Sequence, residues 1–249
     1  MLFFEDYHMN RIAHELVSIA RLLIAQEPMT DEEKIRRRKK VDAIRNLSEN
    51  LDRLKRRLNK DLNSDDDKER LTALVISVMD KTAERVGNQD SADDGHFGVT
   101  GFRKKHITVE GKKVSLKYVG KSGVKHEKGF SDQRLANMIK ECMDGKSDND
   151  PIFVTPDGFE IKADRVNRYL SDFDIKAKDI RGYAANRYMV NALKKSNDHS
   201  EEKDRKKHFL ELLRNVAEKV GHTPAILRSS YLLPNLESEY VKKGKIIKI

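Results

Sequence analysis

The chain has 249 residues, enough for one large domain or two small ones. Fifty Lys and Arg against 41 Asp and Glu leave a net charge of +9, which favours a polyanionic partner, most often nucleic acid. A single cysteine, Cys142, excludes an internal disulfide and a cysteine-based metal site, and the longest apolar run, Ala73–Met79, is far too short to span a bilayer.

Apolar positions Ile12, Leu16, Ile19, Leu22 and Leu23 repeat at helical spacing and predict a helix over 5–26, ended by Pro28. Thr30 to Glu33 reads TDEE, a capping box with Thr30 as N-cap and Glu33 at the third helical position. That helix carries RRRKK at 36–40, and a further charged helix is expected over about 47–62. Ser64 and Asp65 are candidate caps for an amphipathic helix over 67–86, whose face is Leu71, Leu74, Val75, Val78 and Met79. After a Gly- and Asp-rich loop, Ile107–Val109, Val114–Val119 and Val124–Phe130 read as three short strands, with turns at Glu110–Gly111 and Lys121–Gly123.

Helical spacing returns at Leu135, Met138, Ile139 and Cys142, where the cysteine reads as core packing, and Gly145 is the expected stop. TPDG at Thr155–Gly158 is a turn signal. Helices are expected over about 163–171, 177–195 and 205–220, with a polar, mobile connection before the last. The fold class is mainly α with one small antiparallel β-sheet, an α+β chain.

The stretch VGHTPAILRSSYLLP at 220–234 concentrates the chemistry. Gly221 stops one helix, Thr223 caps the next and Pro224 takes its first position, where a missing N–H costs nothing. His222 then sits in the joint, beside a helix N-terminus that favours anions, and Tyr231 is expected two turns inside the helix. For an isolated pair, ordinary hydrogen bonding at a helix corner is the better reading. Arg85, Lys121 and Arg181 each have such a reading too: a cation at a helix C-terminus, a solvated turn lysine and a buried structural guanidinium.

The words around these five residues decide otherwise. LDRLKRRLNKDL (51–62), RVGN (85–88), FGVTGFRKKHI (97–107), KYVGKSGVKHE (117–127), KDIRGYAAN (178–186) and VGHTPAILRSSYLLP resemble the type IB DNA topoisomerases of bacteria and poxviruses over roughly 47–240. The resemblance implies the catalytic-domain architecture of DNA breaking-rejoining enzymes at 46–249, with the three-stranded sheet at about 105–130; residues 1–45 read as a helical N-terminal extension or subdomain. Family members carry a β-rich N-terminal domain, whereas residues 1–45 show only helical pattern here.

It also implies that Arg85, Lys121, Arg181, His222 and Tyr231 are catalytic. Tyrosine suits a reaction that stores bond energy in an ester, because its phenolate both attacks and leaves. Guanidiniums grip the nonbridging oxygens of the transition state, and a histidine adds a hydrogen bond. A hairpin lysine can protonate the departing 5′ oxygen. No metal or nucleotide cofactor is expected: HExxH, an EF-hand loop and GxxxxGK[ST] are all missing from the sequence.

Tyr183, Tyr188 and Tyr240 are the fallback nucleophiles. The partner is double-stranded DNA, bound by a monomer with no membrane involved, in the cytoplasm at the nucleoid, or in a virion or nucleus if the source is viral or eukaryotic. Candidate phosphate contacts are Arg36, Arg37, Arg38, Lys39, Lys40, Arg53, Lys55, Arg56, Arg57, Lys104 and Lys105, against a reading of solvated helix faces. The nearest rival is a tyrosine recombinase, which usually carries HxxR at the second arginine; here the word is KDIR, with Lys178 in place of His. A non-catalytic DNA-binding protein is the rival from another class, and the five intact positions give it no support.

Overall fold

The computed structural model describes residues 30–87, 92, 94–120, 123–195 and 200–245, without the side chains of Arg45 and Ser48. The helix expected over 5–26 and the hairpin residue Lys121 lie outside the described residues. The described chain is mainly helical with one three-stranded antiparallel sheet. It forms two compact units: Arg53–Arg181, and the described parts of Met1–Asp52 with Gly182–Ile249. None of its helices is long and apolar enough to cross a membrane.

Helix α1, Asp31–Asp61, starts at the expected capping box: Thr30 N–H donates to Glu33 Oε2 at 3.1 Å and Glu33 N–H to Thr30 Oγ1 at 3.2 Å. Two helices were expected where α1 runs unbroken. Its buried stripe of Val41, Ile44, Leu47, Leu51, Leu54 and Leu58 recurs at steps of three and four, and no Pro or Gly interrupts it. The weak helix preference of Asn46 and Ser48 does not outweigh that stripe. Residue 45, the expected domain boundary, falls inside this helix.

In the unit Arg53–Arg181, helix α2 spans Asp67–Thr82. Its cap is Asp66, one residue later than expected, accepting from Lys68 N–H at 2.8 Å and Glu69 N–H at 3.2 Å. The helix also stops four residues before the expected end, because Ala83 adopts φ 54°, a left-handed C-cap. The sheet follows: β1 Ile107–Glu110, β2 Lys113–Val119 and β3 Lys125–Ser131, in that order. Val114, Leu116 and Tyr118 alternate inward along β2, as a sheet with one buried face requires.

Helices α3 Gln133–Met143 and α4 Ala163–Ser171 pack on α2, around Leu74, Met79, Ile139, Phe153 and Leu170. Cys142 is only half-buried, so it rims this core; burial still pushes its thiol up to about 11. TPDG forms the expected turn, with Thr155 N–H donating to Phe159 O at 2.9 Å and Gly158 at φ 84°. Helix α5, Ala177–Lys195, begins in this unit and ends in the other. The other unit adds α6 Glu202–Val220 and α7 Leu236–Lys243, which pack together around Phe209 and Tyr240. α6 starts at Glu202 and so takes up part of the connection expected to be mobile.

Candidate active site

In the unit Arg53–Arg181, the early stop of α2 turns Glu84 inward and leaves Arg85 half-buried outside any helix or strand. Val99 N–H donates to Arg85 O at 3.0 Å and Thr100 N–H to Val86 O at 2.8 Å, so RVG runs against FGVTG. The approach needs glycine: a Cβ on Gly98 would lie 2.5 Å from the Gly87 Cα. The two sequence words are therefore one structural element that fixes Arg85.

The carboxylate of Glu84, 2% exposed, gathers cations around it. Lys128 Nζ on β3 contacts Oε1, and His126 Nδ1 stands 3.9 Å from the same oxygen. Arg181 Nη1 on α5 lies 3.5 Å from Oε2, which also accepts the Arg85 N–H at 3.2 Å. The His126 ring stacks on Tyr118 at 5.0 Å, and a Cβ on Gly120 would fall 2.6 Å from that imidazole.

Burial alone would raise the Glu84 carboxyl. Lys128, with Tyr118 and Arg181, outweighs it and holds the group below the ordinary carboxylate value. Burial pushes the Lys128 ammonium down to about 8 despite Glu84, and pushes His126 down as well, with Arg181 and Arg85 adding to both. At neutral pH one carboxylate thus sits among Arg85, Arg181 and Lys128, a cluster with surplus positive charge in a poorly solvated place. An anion is attracted there more strongly than at an exposed cation.

The expected phosphate contacts differ in how they are occupied. Arg36, Arg38, Lys39 and Arg56 are exposed, and Arg37 and Lys55 are half-buried. Arg53 lies over Phe173 at 4.8 Å and donates to Asp172 O. Arg57 Nε pairs with Asp61 Oδ2 at 2.5 Å, and its guanidinium covers Tyr169. Lys104 Nζ donates to Lys146 O at 2.6 Å and Lys105 Nζ to Asn149 Oδ1 at 2.7 Å.

In the other unit, α6 ends at Gly221, φ 74°, and His222 N–H reaches back to Ala217 O at 2.8 Å, the Schellman arrangement. Thr223 caps as expected, accepting from Ile226 N–H at 3.3 Å. The helix expected to carry Tyr231 does not form beyond Pro224–Ile226. Leu227–Tyr231 is instead a π-helical turn, closed by Leu232 N–H to Leu227 O at 3.0 Å. Such wide turns recur at functional sites because they displace a side chain from the regular helical position. Tyr231 is half-buried, its ring centroid 4.6 Å from that of His222.

Two side chains hold this turn by its backbone. Asn186 on α5, 1% exposed, donates to Tyr231 O at 2.9 Å and accepts from Leu233 N–H at 2.8 Å. Lys40 Nζ on α1 donates to Ser229 O at 2.6 Å and Leu232 O at 3.2 Å. Reasoning from sequence passed over Asn186 and Glu84, although Asn186 closes the word KDIRGYAAN and Glu84 directly precedes Arg85. The fallback tyrosines are occupied differently. Tyr240 is fully buried, its hydroxyl 2.6 Å from His208 Nδ1, and Tyr183 is buried on α5. Tyr188 is half-buried, with Lys219 Nζ 3.9 Å from its ring centroid.

Comparison with known proteins bears on the family and the fold. The chain is 27% identical over 183 residues to DNA topoisomerase 1B of Acanthamoeba polyphaga mimivirus, covering 67% of this chain and 53% of that one. It is 27% identical over 137 residues to DNA topoisomerase 1B of Vaccinia virus (strain Copenhagen), covering 54% and 42%. The chain thus spans about half the length of the curated relatives it matches. Among solved structures, the XerH site-specific recombinase bound to palindromic difH substrate, in a post-cleavage complex, shares the fold: TM-score 0.51 at 16% identity, over 79% of this chain and 52% of that one. Residues 32–244 match the family described as eukaryotic DNA topoisomerase I, catalytic core, and the chain belongs to that family, the type IB DNA topoisomerases.

Proposed function

We propose that the chain relaxes supercoiled duplex DNA by breaking and rejoining one strand through Tyr231, as a monomer and without ATP or a metal ion. The Tyr231 oxygen forms a bond to the scissile phosphorus, and the bond from phosphorus to the 5′ oxygen breaks. The products are a 3′-phosphotyrosyl link and a 5′-hydroxyl whose proton comes from Lys121. Arg85, Arg181 and His222 stabilise the charge on the nonbridging oxygens. The downstream duplex rotates, the 5′-hydroxyl attacks the phosphotyrosine, and the phenol leaves. The exposed cations Arg36, Arg38, Lys39 and Arg56 contact phosphates, and the paired ones exchange partners if they do so too.

The observation that carries this reading is the pairing of His222 with a half-exposed Tyr231 on a π-helical turn. No other tyrosine considered combines access with a neighbouring imidazole at a helix joint. The XerH likeness concerns fold and leaves the recombinase alternative to the product: defined strand exchange between paired sites, against relaxation of any supercoiled circle. Tyr231→Phe should abolish relaxation in EDTA, lowering adduct formation by roughly a thousandfold or more, with DNA binding largely kept. Relaxation by that variant would reject the nucleophile. Lys121→Ala should cleave ordinary DNA slowly yet recover on a substrate with a 5′-bridging sulfur, whose departure needs no proton. Equal defects on both substrates would remove Lys121 from the acid role.

A further inference from the structure

Lys40 stands in the basic run RRRKK, where composition alone suggests a phosphate contact. Its ammonium is engaged elsewhere, on Ser229 O at 2.6 Å and Leu232 O at 3.2 Å, the carbonyls two residues before and one residue after Tyr231. A π-helical turn that ends in extended chain leaves carbonyls without helical donors, and cationic side chains satisfy such groups. Lys40 is half-buried while its neighbours Arg38 and Lys39 are exposed, as a side chain folded onto its own protein should be. Asn186 holds the carbonyl of Tyr231 itself. The backbone of three of the four residues 229–232 is thereby tied to side chains from two distant helices.

We infer that Lys40 is a positioning residue for the nucleophile, fixing the backbone on both sides of Tyr231 so that the phenol is held in line for attack. This inference rests on the assignment of Tyr231 above. It gives Lys40 a task in the chemistry in place of a task in binding, and leaves the exposed Arg36, Arg38 and Lys39 of the same helix to the phosphates. A misplacement of about 1 Å in a reacting group can cost on the order of a hundredfold in rate. Loss of one of two anchors should cost less, about tenfold.

The test separates the two roles in the full chain, using a duplex oligonucleotide that yields a trapped covalent adduct. Lys40→Gln should bind duplex with unchanged affinity and an unchanged slope of log affinity against log salt. Its single-turnover cleavage should slow about tenfold, and religation should slow by the same factor, because both directions share one transition state. The position of the cleavage equilibrium therefore stays where it is. Lys40→Arg, which keeps a cationic donor, should recover most of the rate. A salt slope shallower by about 0.9 in Lys40→Gln, with a normal rate at saturating DNA, would make Lys40 a phosphate contact and overturn the inference. Normal rates in both variants would show the anchor to be idle. Parallel loss of binding, rate and thermal stability in both variants would leave Lys40 a folding role alone and would also overturn it. Adduct formation by Tyr231→Phe, measured alongside, would instead reject the underlying assignment of the nucleophile.

Discussion

The two units solve different problems with the same kind of residue. In Arg53–Arg181, the cations Arg181 and Lys128 are drawn inside and set around one buried carboxylate, Glu84, with Arg85 fixed by the neighbouring backbone. In the unit that holds Tyr231, the phenol stays half-exposed beside the His222 ring, and Asn186 and Lys40 grip the backbone around it. A guanidinium that must offer its charge in a fixed direction gains from burial beside a counter-ion. In the proposed reaction a phenol meets an incoming phosphorus, and for that it needs an open face and a firm support.

The contrast can be broken first at Glu84. Glu84→Gln leaves Lys128 and Arg181 buried without their carboxylate, and loss of one partner from a buried charge pair costs about 3–5 kcal/mol. Urea denaturation of the two proteins reads the difference. Acid sharpens it. The Glu84 carboxyl is held below its ordinary value of 4.5 when folded, so the unfolded chain takes up the proton first as pH falls. The carboxylate's stabilisation is complete above about 4.5 and is lost as pH drops through the folded value, so the gap between wild type and Glu84→Gln should narrow in that range. An acid-independent gap would mean that packing, and not charge, makes Glu84 important.

Asn186 tests the other side. Asn186→Ala removes the bond to Tyr231 O and strands the buried Leu233 N–H, a loss of about 2 kcal/mol. Single-turnover cleavage should slow while duplex affinity holds. A variant that loses affinity but cleaves normally when saturated would mean that the turn needs no such support.

The smallest effect belongs to the exposed face of α1. Replacing Arg36, Arg38 and Lys39 with Gln together should flatten the salt dependence of binding by about 0.9 for each phosphate no longer neutralised, with melting temperature little changed. An unaltered slope would assign these side chains to solubility.

Local signals carried much of this. The capping box at Thr30, the alternation along β2, the glycine stop at Gly221 and the Thr223–Pro224 start are readable because each depends on a few adjacent residues, and all four are present. The family words hold up for a related reason: RVG and FGVTG are paired backbone segments whose glycines have no substitute at a 2.5 Å approach. Where the local reading failed, a distant partner decided. α1 stays whole because one apolar stripe is buried along its length, α2 ends early where Ala83 turns Glu84 into a cation cluster assembled from three segments, and the turn under Tyr231 widens where Asn186 and Lys40 take its carbonyls.

The sequence by itself determined the family, most of the elements described and the residue types available for the chemistry, because these are encoded in short local words and spacings. Which charges are buried, which face solvent and what holds the backbone around Tyr231 were decided only by tertiary structure. Those outcomes depend on pairs such as Lys40 with Ser229, 189 positions apart, whose meeting no local pattern records.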